Sequence, residues 1–334
     1  MSTAAAGAMG GVSRVAESEL PYVFIVGCPR SGTTLLQRML DGHPMLAIAN
    51  DTHFIPKVVE PDGGDVPLSP ELVDRVLDYH RFGRLGLDDA AVRLAASHSR
   101  TYAEFVGALY AEFGARHGKP LAGEKTPDYV RHLPLLGRLF PGSRVVHIVR
   151  DGRDVALSAL QWARPDKGPG RFALWQEDPV AVCALWWRWQ VTSGLTDGRG
   201  LGPRYREVRY EDLVARPRET VENLCRFLDL PFAPETLAYH VGKRRDEAGL
   251  SAKKAWLPPT PGLRDWRSQM SDRDVAQFQA LAGDLLSSLG YERATGVPTP
   301  VVAALAHRYQ RWWEAELERR RAKRLAKSRA AAHS

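Results

Sequence analysis

Residues 22–40 read YVFIVGCPRSGTTLLQRML, and this stretch decides the fold. The run 22–26 is continuously apolar and rich in β-branched residues, which is typical of a strand buried on both faces of a parallel sheet. Gly27 begins a turn, and apolar residues then recur at helical spacing over 34–40 until the residues Asp-Gly-His-Pro at 41–44 end the helix. The stretch therefore predicts a strand, a glycine-containing loop and a helix.

A second unit of this kind begins at Arg144. Residues 144–149 form another short apolar run, and helical spacing resumes over 155–162. Two such units predict an α/β fold with a parallel sheet flanked by helices. The remaining periodicity predicts a strand over 205–210 and helices within 70–118, 179–191, 217–228, 271–289 and 301–326.

The chain divides by composition into three segments. Residues 1–19 are rich in Ala, Gly and Ser and are expected to be disordered, 20–295 form the main domain, and 296–334 form a basic C-terminal helix and tail. Residues 242–268 hold many Lys, Arg and Pro without periodicity, which predicts a loop that becomes ordered on binding.

The overall composition, with 44% hydrophobic and 25% charged residues in 334, is that of a soluble globular protein. No apolar run approaches the roughly 18 to 20 residues of a membrane span, and the N-terminus lacks a signal-peptide pattern, so we expect a cytoplasmic protein. Cys28, Cys183 and Cys225 are too few and too scattered for a disulfide framework or a paired-cysteine zinc site. Neither a metal nor a redox role is expected.

The net charge of +7 is concentrated at the C-terminus. Residues 308–329 contain nine Lys or Arg and three Glu, which gives +6 and leaves the rest of the chain at +1. A nucleic-acid partner is therefore not expected for the main domain. The C-terminal helix could dock on the domain, lie on an anionic membrane, bind another polyanion or remain solvated.

The loop Gly27–Thr34 has the length and glycine placement of the phosphate-binding pattern G-x-x-x-x-G-K-[ST], but Thr33 replaces the lysine. Backbone N–H groups and a helix N-terminus bind an oxyanion without that lysine, which serves the β- and γ-phosphates of a nucleoside triphosphate. The loop thus predicts a P-loop-NTPase-like fold and an anion site rather than an ATP–Mg²⁺ site. A plain βα turn is the alternative.

The chain resembles the sulfotransferases that use 3′-phosphoadenosine 5′-phosphosulfate (PAPS). Their loop for the 5′-phosphosulfate is similar to residues 29–35, and their motif for the 3′-phosphate is similar to residues 149–153 followed by Ser158. The resemblance extends through 124–127 and 208–213 and covers about 20–295. It implies PAPS as co-substrate, no metal, and helical insertions that form the acceptor site.

This resemblance implies roles for individual residues. The 5′ side of the nucleotide would be held by Arg30, Ser31, Gly32, Thr33 and Thr34, and the 3′-phosphate by Arg150 and Ser158. Two anion sites at the ends of strands in one sheet suit a donor with anionic groups on both sides. Tyr210 would line the nucleotide pocket or pack in the core, and Arg150 could instead be a surface arginine at the sheet edge.

The motif layout is most similar to the tyrosylprotein sulfotransferase branch. There the loop is followed without gaps by Asp-x-His-Pro and Glu-Glu-Thr-Arg-x-Ile-Pro, and this chain has the corresponding residues at 41–44 and 50–56. Asp51 falls on that branch's catalytic glutamate, whereas Asn50 and His53 replace its other acid and its arginine. Asp51 is therefore the expected base, with His53 as the competing candidate because an unperturbed imidazole titrates near neutrality.

Sulfuryl transfer also needs cations near the oxygens that gain charge. Arg30 would serve the sulfuryl group and Lys125 the leaving phosphate, unless Lys125 only pairs with Glu124. The expected reaction is an in-line displacement by a hydroxyl of a small molecule, glycan or lipid. A P-loop kinase or NTPase and a non-catalytic nucleotide or nucleic-acid binder remain as alternatives.

Overall fold

The computed structural model describes residues 20–59, 63–241, 257–260, 262–294 and 299–332. The predicted disordered N-terminus and most of the predicted loop over 242–268 lie outside these residues. The chain folds into two compact units. The first contains the described residues among 1–28, 32–149 and 193–261, and the second contains those among 29–31, 150–192 and 262–334.

A five-stranded parallel sheet forms the centre of the first unit. Its strands are β1 (Val23–Val26), β2 (Leu46–Asn50), β3 (Leu121–Lys125), β4 (Arg144–Val149) and β5 (Tyr205–Arg209). Their order across the sheet is β2-β3-β1-β4-β5, and every neighbouring pair is parallel. All strands therefore end at one edge, where Lys125 of β3 lies level with Asn50 of β2.

A hydrophobic core lies on each face of this sheet, because alternate residues of strands β1 to β4 enter different cores. Phe24 and Val26 belong to one hydrophobic cluster, and Val23 and Ile25 belong to the other. Helices α2 to α5 contribute to the first cluster, and α1, α8 and α9 contribute to the second. These helices are α1 (Thr33–Asp41), α2 (Pro70–Leu77), α3 (Asp89–Ser97), α4 (Tyr102–Arg116), α5 (Leu133–Leu139), α8 (Tyr210–Ala215) and α9 (Pro217–Phe227). The predicted α/β fold with a parallel, helix-flanked sheet is confirmed.

The second unit is helical in its described part. Its helices are α6 (Gly152–Trp162), α10 (Trp266–Gln269), α11 (Asp272–Ser288) and α12 (Pro300–Ala332), together with most of α7 (Pro179–Arg199). Trp186 and Trp187 of α7 are among the largest fully buried side chains. The tryptophan-rich helix therefore supplies part of the core of the second unit.

The C-terminal helix α12 packs on the second unit through its first half. Trp313 lies 4.4 Å from Phe172, measured between ring centroids, and the Tyr309 hydroxyl lies 3.2 Å from a carboxylate oxygen of Glu177. Tyr309 and Trp313 are buried, whereas Arg321 and Lys323 further along the helix are exposed. Docking is thus the correct interpretation for the part of the helix up to about Arg320, whose guanidinium lies 4.2 Å from the Phe172 ring centroid.

Candidate functional site: an arginine cluster and a base–lysine pair

The loop between β1 and α1 has the tight backbone that its glycines predict. Gly32 has φ 94° and precedes the first residue of α1, and a Cβ atom there would lie 2.3 Å from the Tyr210 ring. Any larger residue would have to displace that ring, so the loop and Tyr210 fit together only with glycine. Tyr210 is itself buried, in contact with the loop rather than distant from it.

Two hydroxyl-bearing residues of the loop are buried at the N-terminus of α1. Ser31 is fully buried, and its Oγ has no hydrogen-bond partner among the described residues; Thr33 is 4% exposed. A buried hydroxyl without a partner costs free energy unless a ligand satisfies it. Together with the positive end of the helix dipole, Ser31 and Thr33 suit an oxyanion such as a phosphosulfate.

Arg30 joins the two predicted anion motifs. Its backbone is in the left-handed region with φ 79°, and its Nε donates a hydrogen bond to Oγ of Ser158 at 2.9 Å. The guanidinium also lies over the Trp162 ring, 5.8 Å from the centroid. Ser158 and Trp162 belong to α6, so the loop arginine reaches the helix of the second motif, 128 residues away.

The charge around Arg30 is unbalanced. Its pKa is lowered by burial first, and then by the positive charges of Arg264 and Arg150. Like charges held close together favour a polyanion that neutralises them. This cluster of Arg30, Arg150 and Arg264, with the unpartnered hydroxyl of Ser31, suits a ligand that carries several anionic groups.

Arg150 and Ser158 are both buried, which is incompatible with the alternative of a surface arginine at the sheet edge. Arg150 pairs with Asp154 at 3.5 Å, and its backbone carbonyl accepts a hydrogen bond from the indole N–H of Trp187 at 3.1 Å. Because Trp187 is fully buried, it fixes the start of α6 to the core. The buried Trp187 thus fixes the backbone of Arg150.

Arg264 was not predicted from the sequence. The backbone N–H of nearby Trp266 donates to Asp154 at 2.9 Å, and the Trp266 ring stacks on Arg153, with 3.6 Å between the guanidinium carbon and the ring centroid. Arg153 is fully buried and forms two hydrogen bonds with Asp151. These contacts hold the segment of Arg264 against the start of α6. A lone arginine in a segment without periodicity carries no sequence signal for this.

Asp51 and Lys125 form an ion pair in the first unit. Nζ of Lys125 lies 2.9 Å from Oδ1 of Asp51, and the side chains are 1% and 19% exposed. The backbone N–H of Asp51 donates to the carbonyl of Lys125 at 2.8 Å. Lys125 therefore pairs with the expected base rather than with Glu124. Arg84, which the sequence did not indicate, lies 3.7 Å from Oδ2 of the same carboxylate.

The backbone that carries Asp51 is strained. Asp51 and His53 have φ 59° and 61°, a conformation that costs on the order of 1–3 kcal/mol for a residue other than glycine. Burial lowers the pKa of His53 to about 4, so its imidazole is neutral at pH 7. The argument for His53 as a base assumed an ordinary imidazole pKa, and the structure removes that assumption.

The Asp-Gly-His-Pro turn, which helped to indicate the family, is structural in this chain. Oδ1 of Asp41 accepts a hydrogen bond from the backbone N–H of Ile48 at 2.8 Å. His43 accepts one from the backbone N–H of Met45 at 3.1 Å through Nδ1, so Nε2 donates to the carbonyl of Pro231 at 2.9 Å. These bonds fix the start of β2 and hence the position of Asp51 at its end.

Comparison with known proteins identifies the family. Residues 21–234 match the model of a sulfotransferase family, and the chain belongs to that family. It is 27% identical over 312 residues to protein-tyrosine sulfotransferase 1 of Danio rerio, with 88% of this chain and 80% of the relative covered. It is 27% identical to protein-tyrosine sulfotransferase 2 of Gallus gallus, with 87% and 76% covered.

Solved sulfotransferase domains share the fold. The domain from the Synechococcus PCC 7002 olefin synthase aligns with a TM-score of 0.58 at 25% identity, covering 83% of this chain and 97% of the domain. The domain from the curacin biosynthetic pathway gives a TM-score of 0.56 at 25% identity, with 83% and 100% covered. The expected enzyme class, a sulfotransferase similar to the tyrosylprotein branch, is confirmed, and the kinase, NTPase and binding-protein alternatives are not favoured.

The expected cytoplasmic location is wrong. Similar chains are named protein-tyrosine sulfotransferases, and this resemblance contradicts the expected location. Within the described residues, no helix combines the length and the apolar character that crossing a membrane would require.

Proposed function

We propose that this enzyme transfers the sulfuryl group of PAPS to a hydroxyl of its acceptor in one in-line displacement. The observation that carries the proposal is the hydrogen bond of Arg30 to Ser158, because it unites the loop motif and the 3′-phosphate motif in one cluster of positive charge. A donor with anionic groups at its 5′ and 3′ ends matches two such motifs better than a nucleoside triphosphate does.

On the donor side, separate groups of residues bind the two ends of the nucleotide. The loop, with Arg30, Ser31, Gly32, Thr33 and Thr34, binds the phosphosulfate through backbone N–H groups, hydroxyls and one guanidinium. Arg150 and Ser158 bind the 3′-phosphate, and Arg264 adds a third guanidinium to the cluster. Tyr210 flanks the nucleotide from its position against Gly32.

On the acceptor side, Asp51 takes the proton of the attacking hydroxyl. The new bond joins the acceptor oxygen to sulfur, while the bond between sulfur and the bridging phosphate oxygen breaks. Lys125 and Arg30 stabilise the oxygens that gain negative charge. The products are a sulfate ester and 3′-phosphoadenosine 5′-phosphate, and the proton remains on Asp51 until solvent removes it.

The relatives are named for the sulfation of protein tyrosine. A tyrosine hydroxyl is therefore a candidate acceptor, in addition to the hydroxyls of small molecules, glycans and lipids. Asn50 and His53 replace an acid and an arginine of that branch, which favours an acceptor that differs from the substrates of these relatives. A panel of tyrosine peptides, phenols, sugars and hydroxylated lipids with labelled PAPS would distinguish these classes.

The donor is tested by thermal shift and by transfer. We expect 3′-phosphoadenosine 5′-phosphate to raise Tm with its concentration, and ATP with Mg²⁺ or an oligonucleotide to have little effect. Labelled sulfate should appear on an acceptor only when PAPS is present. Stabilisation by ATP with Mg²⁺ alone, without any response to the adenosine bisphosphate, would contradict the proposed donor.

A second proposal concerns the end of α12, which we expect to contact anionic membrane surfaces. Its support is the exposure of Arg321 and Lys323 on a stretch without acidic residues after Glu318. Arg321→Glu with Lys323→Glu should weaken binding to vesicles that contain phosphatidylserine and leave sulfuryl transfer unchanged. Truncation before the helix is a poor test because it removes the buried Tyr309 and Trp313.

A further inference from the structure

Glu124 is a fully buried carboxylate directly before the lysine that pairs with Asp51. Its exposure is 0%, and it lies at the end of β3, where Lys125 is level with Asn50 of β2. A carboxylate is rarely buried unless its hydrogen-bonding capacity is met. Its partners therefore indicate what the protein gains from it.

Three donors converge on this carboxylate. The backbone N–H of Thr52 donates to Oε1 at 3.1 Å, the hydroxyl of Thr126 also donates to Oε1, and the hydroxyl of Tyr110 donates to Oε2 at 2.7 Å. A backbone N–H can only donate, so Oε1 acts as an acceptor. Burial raises the pKa of Tyr110 well above its ordinary value, which keeps the proton on the phenol and makes Tyr110 a donor as well.

The bond to Thr52 falls in the middle of the strained segment. Asp51 and His53, the residues on either side of Thr52, both have left-handed backbone conformations. The carbonyl of Lys125 binds the N–H of Asp51, and the carboxylate of Glu124 binds the N–H of Thr52. Two successive residues of β3 thus fix two successive residues that follow β2.

Further along the segment, Ile55 is held by two other buried side chains. Its N–H donates to the Tyr129 hydroxyl at 3.1 Å, and its carbonyl accepts from the Tyr102 hydroxyl at 3.1 Å. Strained backbone persists only where its surroundings over-determine it. Of these tethers, the bond to the Glu124 side chain holds Thr52, the residue that directly follows Asp51.

We infer that Glu124 is a positioning residue for sulfuryl transfer. It holds Thr52, and through Thr52 the strained turn, so that the Asp51 carboxylate keeps the orientation in which it meets the acceptor hydroxyl. The inference rests on the proposed role of Asp51 as the base. It requires a hydrogen-bond acceptor at position 124 and not a negative charge.

The first experiment tests whether position 124 needs a hydrogen-bond acceptor or a negative charge. Glu124→Met removes the acceptor at similar size, and we expect kcat to fall about 100-fold, the scale of a misplaced catalytic group, with KM for PAPS unchanged. Glu124→Gln keeps an oxygen for the Thr52 N–H and should restore kcat to within about tenfold of the parent. Equal losses in both variants, or full activity in Glu124→Met, would overturn the inference.

Tyrosine variants keep the test valid if Glu124→Met does not fold. Tyr110→Phe removes one donor from the carboxylate and should lower kcat several-fold. Tyr22→Phe is the matched control, because that buried hydroxyl donates to the carbonyl of Leu228, away from the turn. It should lower Tm comparably and leave kcat unchanged. If both variants lower Tm equally and neither changes kcat, the network is only structural and the inference fails.

A double-mutant cycle separates this inference from the proposed base. If Glu124 acts through Asp51, Glu124→Met should cost less than about twofold in kcat when Asp51→Asn is already present. Losses that multiply would mean that Glu124 acts independently of Asp51, and the inference would be wrong while the base stands. An active Asp51→Asn enzyme would instead refute the base, and with it this inference.

Discussion

The two charged regions of the molecule are balanced in different ways. In the first unit, Lys125 pairs with Asp51 at 2.9 Å, and the neighbouring carboxylate of Glu124 is surrounded by donors. In the second unit, Arg30 is half-buried; burial lowers its pKa, and the positive charges of Arg264 and Arg150 lower it further. One region is neutralised by its own side chains, whereas the other has an excess of positive charge.

We propose that this difference separates catalysis, in the first unit, from donor recognition, in the second. A region with its own counter-ions keeps its geometry in the absence of substrate, which preorganisation of a base requires. A cluster of like charges destabilises the empty protein and gains most when a polyanion binds, so its strain contributes to ligand affinity. Variants of the base pair should therefore change kcat, and variants of the cluster should change donor affinity as well.

The largest expected effect belongs to Asp51. Asp51→Asn keeps the size and a hydrogen bond to Lys125 but removes the basicity, so kcat should fall by roughly a hundred- to ten-thousandfold. The stabilisation by 3′-phosphoadenosine 5′-phosphate in a thermal shift should remain. His53→Gln is the control and should keep substantially more activity. The reverse ranking of these two variants would transfer the role of base to His53.

Loss of Arg30 should be the next largest effect. Arg30→Ala removes the guanidinium that serves the sulfuryl group, and transfer should fall at least about a hundredfold while the protein remains folded. Donor affinity should fall too, unlike in Asp51→Asn, because we propose that the cluster recognises the donor. Calorimetric titration with 3′-phosphoadenosine 5′-phosphate measures this. A variant with unchanged affinity and activity would remove the loop from the mechanism.

Arg150 should show a smaller and more selective effect. Arg150→Ala should weaken the binding of PAPS by roughly 10- to 100-fold, the scale of one lost charge-assisted hydrogen bond. Adenosine 5′-phosphosulfate lacks the 3′-phosphate and should be affected far less. The comparison is made with kcat/KM for both donors. If kcat/KM falls equally for both donors, Arg150 does not recognise the 3′-phosphate.

The sequence predicted β1, β4 and the edge strand β5, and it missed β2 and β3, the strands that lead to Asp51 and Lys125. Strand β1 is apolar throughout, β4 is apolar except for Arg144 and His147, and the predicted limits of β4 agree with the structure. Strand β3 reads LAGEK and is buried along its whole length although its last two residues are charged. Local composition cannot predict this burial, because it depends on Tyr110, Thr126 and Asp51 meeting these charges in the folded chain.

The same limit applies to the site. Short motifs next to strands indicated Arg30, Arg150 and Ser158, since an anion site needs recognisable residue types at the end of a strand. Arg84 and Arg264 reach their positions through tertiary packing, and nothing in their sequence neighbours distinguishes them from other surface arginines. The pKa of His53 was likewise unpredictable, because burial is its principal cause.

The smallest expected effect is a dependence of stability on pH that belongs to His53. Burial lowers its pKa to about 4, and Arg81 and Lys57 add to this while Asp128 and Asp51 oppose it. An unfolded chain has an imidazole pKa near 6.5, so between about pH 6.5 and 4 the unfolded state binds more protons than the folded one. The contribution of His53 is therefore fully present above pH 6.5 and is lost as the pH falls towards 4.

His53→Gln should make the fall in Tm between pH 7 and pH 5 shallower than in the parent. His147, whose pKa burial lowers to about 3, contributes in the same direction in both proteins and cancels in the comparison. The kcat profile should show no inflection near pH 6.5, because the neutral imidazole does not titrate there in the folded enzyme. Parallel Tm curves, together with an inflection at pH 6.5 that disappears in His53→Gln, would mean that His53 is solvated and titrates normally. In that case the acceptor side would have a second titrating group, and its balance of charge would change across the physiological pH range.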